Sequence, residues 1–115
     1  MGYVNVIWQG DMNRMVLQLL PQCSSPAGIY NITGTETLSV RDVALQFGKL
    51  FGKTPKFVDE EAPTALLNNA GLVEGLLGRR EVSPEQMIRW IANWIINDHK
   101  ILNKFTHFEV RDGKY

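Results

Sequence analysis

The sequence has few of the features that mark secreted, membrane or nucleic-acid-binding proteins. It holds one cysteine in 115 residues, so no internal disulfide can form and nothing indicates secretion. Twelve Lys and Arg balance twelve Asp and Glu, whereas a nucleic-acid or membrane-surface partner favours a basic excess. No apolar run approaches the roughly 18 residues of a membrane helix. The first residues are not a basic segment followed by an apolar one, so we expect no signal peptide. We therefore expect a cytoplasmic protein without nucleic-acid or membrane partners.

The composition is that of an ordinary globular domain, with 44% hydrophobic and 21% charged residues. This length accommodates one domain with its own core. We expect a single domain over residues 1–115, with a less regular tail over residues 98–115.

Local patterns in the first third predict a strand, a helix and a second strand. Alternating apolar residues predict a strand over residues 3–8, which Gly10 ends. Asp11 is placed to cap a helix of amphipathic spacing that ends at Pro21. Residues 28–32 read as a second short strand, with a polar turn around Gly34 after it.

Two helices have clear start signals. Ser39 and Asp42 fit a capping box before an apolar stripe that Gly52 ends. Ser83 and Pro84 give the second start, with Ser at the N-cap and Pro in the first turn. The face of this second helix that we expect to be buried consists of Met87, Ile88, Ile91, Trp94 and Ile95.

The remaining segments give weaker signals. Residues 56–58 and 106–110 read as short strands, and residues 59–61 as an acidic, solvated loop rather than a cation site. Residues 64–77 read as a weak helix, because Gly71 and Gly75 each cost about 1 kcal/mol relative to Ala. Strands alternating with helices predict a mixed α/β or α+β layer structure. Its thin sheet would leave exposed edges, which suits part of a larger assembly.

Several segments together resemble one enzyme family. Residues 31–42 read NITGTETLSVRD, a strand end, a short turn and a helix start, and the following helix closes with Gly52 and Lys53. Residues 4–6 followed by Asp11, and the late helix with Trp90 and Trp94, add to the likeness. This pattern resembles the C-terminal half of NAD-dependent epimerase/dehydratases, the extended short-chain dehydrogenase/reductase family.

The resemblance implies the C-terminal, substrate-side lobe of an extended Rossmann-type enzyme, with short strands packed on about four helices. In that family the N-terminal half carries a Gly-rich nucleotide turn and a Tyr-x-x-x-Lys pair. The tyrosines here, Tyr3, Tyr30 and Tyr115, have no Lys four residues later. We therefore expect no catalytic residue and no bound cofactor in this chain. NAD or NADP would belong to the parent enzyme, an epimerase, dehydratase or reductase of sugars or small molecules.

Trp8, Gln9 and Asp11 are the candidate substrate-binding residues, because ligands of open α/β sheets gather near strand C-termini. Trp8 would supply an apolar wall and Gln9 a hydrogen-bonding group. The simpler interpretation makes Trp8 a core residue and Asp11 only a helix cap.

The cysteine, the histidines and the tryptophans of the late helix are better explained by structural roles than by catalysis or ligand binding. No sequence feature brings Cys23 to His99 or His107, and the two histidines lack metal spacing. The aromatic pair Trp90 and Trp94 fits core packing better than a binding platform. Residues 71–78 superficially resemble a dinucleotide loop, yet their glycine spacing fits a packed helical segment.

Three functions follow, in order of preference. The first is a non-catalytic substrate-binding lobe, whose partner is the nucleotide-binding half. The second is a free-standing binding or assembly module that associates with further copies through an exposed strand edge at residues 29–32. The third is a small enzyme that uses Cys23.

Overall fold

The computed structural model describes residues 2–58, 60 and 65–104. Within them the chain is a mixed α+β fold with four helices and three two-residue strands, which confirms the predicted class. The elements are β1 Tyr3–Val4, α1 Gln9–Leu19, β2 Leu38–Ser39, α2 Val40–Phe51, β3 Ala65–Leu66, α3 Gly71–Leu77 and α4 Pro84–Ile96. The strand predicted over residues 106–110 and His107 lie outside the described residues, as do Asp59 and Glu61 of the acidic loop.

The sheet has the order β2-β1-β3, so the first strand lies in its centre. Tyr3 pairs with Ser39 in antiparallel β2 and with Ala65 in parallel β3. The Asn5 side chain continues the contact beyond β3, since its amide bonds the backbone O and N–H of Asn68 at 2.7 and 3.2 Å. This pairing explains why the helix predicted over residues 64–77 is confined to α3.

Residues 28–32 and 56–58 do not form the predicted strands. Tyr30 and Ile32 pack against the core, whereas Ile29 is 87% exposed. The alternation of apolar residues therefore reflects one-sided packing of an extended segment. A strand also needs a backbone partner, which alternation alone does not supply.

The first helix begins earlier than predicted. Trp8 occupies the N-cap position without a side-chain cap, and Asp11 lies inside the first turn, so the prediction that Asp11 caps the helix is wrong. Met15 and Leu19 form the buried face of α1. The helix ends at Leu19 and continues as one 3-10 turn that contains Pro21, close to the predicted end.

The predicted ends of α2 and the predicted start of α4 are confirmed. The Ser39 hydroxyl accepts the Asp42 N–H at 3.2 Å, and Gly52 closes α2 in the left-handed conformation with φ of 62°. The Ser83 hydroxyl accepts the Gln86 N–H at 3.2 Å. Of the helices that the structure describes, none is both long and apolar enough to cross a membrane.

The apolar face of α4 is only partly covered. Ile88 and Ala92 are buried, but Ile91, Trp94 and Ile95 are 48–50% exposed, so the prediction that these three are buried is wrong. The core cluster is small and consists of Met15, Leu19 and Val73, with Ile7, Tyr30, Ile32 and Leu77 packed against it. Much apolar surface on α4 therefore remains open to solvent.

Candidate functional site

The three predicted substrate residues do not share one surface. Trp8 and Gln9 are exposed, whereas Asp11 is only 1% exposed. The Trp8 ring stands edge-on to Trp90 with ring centroids 5.5 Å apart. It also lies so close to Gly10 that a Cβ there would overlap it. Trp8 is thus neither a buried core residue nor an unpaired aromatic surface. It is part of a half-exposed aromatic contact between the start of α1 and α4.

Asp11 joins α1 to the chain that precedes α4. Its Oδ2 accepts the backbone N–H groups of Glu81 and Val82 at 3.1 and 2.9 Å. The guanidinium of Arg14, one turn along α1, lies 3.7 Å from Oδ1. Buried carboxylates are stable when donors and a positive charge surround them in this way. The carboxylate is occupied by protein groups, which leaves Trp8 and Gln9 as the members of the predicted wall that reach solvent.

Arg80 ties the same segment to the turn around Gly34. Its side chain is 10% exposed, its Nη2 lies 2.6 Å from Oε1 of Glu36, and its Nε donates to the carbonyl of Val82 at 3.0 Å. The Gly34 N–H donates to the carbonyl of Val6 at 3.1 Å, and a Cβ on Gly34 would stand 3.2 Å from Arg80 Nη1. Only a residue without a side chain fits between this backbone and the arginine.

A cleft with about 300 Å³ of free space opens beside Arg80. We call it the polar cleft; it is lined by Thr35, Glu36, Arg79, Arg80, Glu81 and Ser83. Arg79 pairs with Glu74 at 2.8 Å, and Glu81 pairs with Arg14 at 3.5 Å. Because each lining charge has an opposite partner, the cleft suits a neutral polar group that exchanges hydrogen bonds with hydroxyls and guanidiniums.

The lining of the polar cleft contains binding groups but no evident catalytic pair. It includes no His, Cys or Tyr, and the Ser83 hydroxyl serves the helix start. Elsewhere Cys23 is exposed and unbridged. His99 packs on Trp94 with ring centroids 4.5 Å apart, at the end of α4. Within residues 2–58, 60 and 65–104, no cluster of three His, Cys, Asp or Glu could hold a metal ion.

Glu85 lies in the first turn of α4, next to the polar cleft. Its own backbone N–H and the Ser83 hydroxyl donate to its carboxylate and hold its pKa below the ordinary value. Arg80 and Arg89 lower this pKa further, whereas burial acts in the opposite direction. The start of α4 is therefore favoured when Glu85 is ionised.

Glu85→Gln is expected to lower the melting temperature slightly at pH 7 and not at pH 3. A carboxyl whose pKa is lower in the folded state stabilises the fold above its unfolded pKa of about 4.3, and this stabilisation is lost on acidification. The effect is small because the side chain is exposed to solvent. Melting of both proteins across this pH range measures it, with Glu60→Gln as a control at another exposed carboxylate. Equal melting temperatures at pH 7 would contradict the effect.

Arg14, Glu36 and Arg80 were not among the residues predicted to form a site. A signal for Arg14 was present, since it follows Asp11 at the i, i+3 spacing of a helical ion pair. Arg80 and Glu36 are 44 positions apart in the numbering, and no local pattern joins them.

No protein-family model, curated protein or solved structure matches the chain.

Proposed function

We propose that the chain is the substrate-side lobe of an NAD(P)-dependent epimerase, dehydratase or reductase of the extended short-chain dehydrogenase/reductase family. It contributes binding surface and no catalytic residue. The observation that carries the proposal is the path of residues 31–42, the segment on which the resemblance depends.

The path has part of the order that the resemblance implies, because the turn and the helix start are present whereas residues 28–32 are extended without forming a strand. Ile32 packs on the core, and the Asn31 amide donates to the carbonyl of Asn69 at 3.3 Å. The chain turns at Gly34, which is anchored to the carbonyl of Val6. It then pairs with β1 and enters α2 at the Ser39 cap. An extended segment, a short turn and a capped helix thus follow in sequence and support the assignment.

The polar cleft and the exposed Trp8 and Gln9 supply the proposed binding role. The cleft offers hydroxyls and paired guanidiniums, a set that suits hydroxylated small molecules such as sugars. The reaction itself would belong to the other half of the enzyme. NAD or NADP would accept and return hydride there.

Residues 71–78, which superficially resemble a dinucleotide loop, do not have the structure of such a loop. Gly71 and Gly75 are helical residues of the seven-residue α3. The proposal accordingly places the catalytic step in the other half of the enzyme.

The alternative function is a free-standing binding or assembly module. The observation that favours it is the exposed apolar stripe of α4, formed by Trp90, Ile91, Trp94 and Ile95, each 46–50% exposed. A stripe of this kind commonly marks a contact with another protein. The version of this idea based on a strand edge at residues 29–32 is wrong, because that segment forms no strand.

The isolated chain is expected to bind neither NAD nor NADP. Isothermal titration calorimetry with each dinucleotide should give only the heat of dilution. Binding with a micromolar dissociation constant would contradict the proposal that the nucleotide site lies in another half.

The coding DNA on the 5′ side separates the two functions. An in-frame Gly-rich nucleotide turn and a Tyr-x-x-x-Lys pair encoded upstream would support the substrate-side lobe. A stop codon and a ribosome-binding site just before Met1 would favour the free-standing module.

A further inference from the structure

A second, apolar cavity lies between the sheet and the two longest helices. It has about 380 Å³ of free space and is formed by β1 and the residues after it, β2, α2 and α4. We call it the inner cavity; among the side chains that line it are Val6, Leu38, Val43, Phe47, Met87 and Ile88. Unlike the polar cleft, it is built from four separate elements.

Every residue that lines the inner cavity is apolar. Ile88 is 6% exposed, and Val43, Phe47 and Met87 are half-buried. Val40 and Ile91, which also line it, are 42% and 48% exposed, so the inner cavity is open to solvent on one side. Water against these apolar side chains finds few hydrogen-bond partners. Filling the inner cavity with an apolar molecule removes this unfavourable contact with water.

The size of the inner cavity selects the class of molecule. An apolar cavity of about 150 Å³ accommodates benzene, so about 380 Å³ has room for roughly two aromatic rings. Ligand pockets typically begin at about 300 Å³. A charged group is excluded, because no lining residue could compensate its desolvation.

We propose that the inner cavity binds a neutral apolar small molecule about the size of two fused or linked aromatic rings. The ligand would contact Phe47 of α2 and Ile88 of α4, and would fill the space that these helices leave above β1 and β2. The proposal does not depend on the substrate-side lobe, because it uses neither the polar cleft nor a second half.

The test uses 6-propionyl-2-(dimethylamino)naphthalene, a neutral probe with two fused aromatic rings whose fluorescence rises in apolar surroundings. Titration of the full chain is expected to give a saturable rise with one probe per chain. Val43→Trp fills the inner cavity and should weaken binding at least tenfold, about 1.4 kcal/mol. Leu45→Trp is the matched control, since Leu45 lies on the same helix, is 48% exposed and does not line the inner cavity.

A second measurement covers the case in which Val43→Trp does not fold. Methyl NMR spectra of the unaltered chain, titrated with the probe, should show shifts for Val43, Leu38 and Ile88 before those of Leu45. The proposal is overturned if the fluorescence rise never saturates, or if folded Val43→Trp and Leu45→Trp bind equally. One probe per two chains, with the mass of a dimer in light scattering, would also overturn it in favour of a second copy.

Discussion

Replacing Asp11 with alanine is expected to lower the free energy of unfolding by about 3 kcal/mol. The change leaves the backbone N–H groups of Glu81 and Val82 without their acceptor, and each such buried loss costs about 1–3 kcal/mol. It also removes the carboxylate next to Arg14, whose Nε and Nη2 are already buried without a hydrogen bond. Urea unfolding followed by circular dichroism measures the loss.

Two further variants distinguish the cause of this loss. Asp11→Asn retains an oxygen that can accept both N–H groups but not the charge, so we expect a loss of about 1 kcal/mol. Asp42→Ala removes an exposed acidic residue from the first turn of α2, and it should cost well under 1 kcal/mol. If Asp11→Ala lowered the free energy of unfolding no more than Asp42→Ala does, the Asp11 carboxylate would not stabilise the segment before α4.

The same contact determines whether the polar cleft is formed. Arg79, Arg80, Glu81 and Ser83 line the cleft, and Asp11 fixes the backbone in the middle of this run. Asp11 thus supports the backbone of the cleft and does not face a substrate, contrary to the prediction from its place after the first strand. The prediction could not include its partner, because the N–H group of Glu81 that it accepts lies 70 positions away.

The helix ends were predictable because their interactions are local. Ser39 and Ser83 each accept an N–H three residues later, and Gly52 closes its helix within its own turn. Such bonds depend only on residues that are close in sequence. The sheet was not predictable in the same way. Alternation located β1, but the predicted strand over residues 3–8 is longer than the observed Tyr3–Val4. Tyr3 meets Ser39 and Ala65 across long stretches of chain, and the two-residue strands β2 and β3 carry almost no alternation to detect.

The periodicity of α4 predicted an apolar face but not how much of it is covered. Ile88 and Ala92 lie against the fold, whereas Ile91 and Ile95 remain about half exposed. Spacing assigns these residues to adjoining parts of one side of the helix. Coverage depends on how α2 and the sheet approach that side, which is a property of the whole fold.

Gly34→Ala is the second change with a large expected effect, a loss of about 2 kcal/mol, within the range for forcing atoms into a packed site. The new Cβ would overlap the carbonyl of Val6, a backbone group that cannot simply rotate away, and would press on Arg80. Gly34 is not among the glycines with positive φ, Gly52 and Gly78, so the cost is steric rather than conformational.

Gly75→Ala provides the opposite expectation in the same assay. Nothing lies within 4 Å of a Cβ at Gly75, and alanine in a helix interior stabilises by about 0.5–1 kcal/mol relative to glycine. Urea unfolding should therefore separate the two variants by about 3 kcal/mol. Equal stabilities would mean that the turn at Gly34 can move away from Val6. This turn also holds Glu36 against Arg80, so its movement would change the shape of the polar cleft. The cleft would then reach its binding shape only when a ligand is bound.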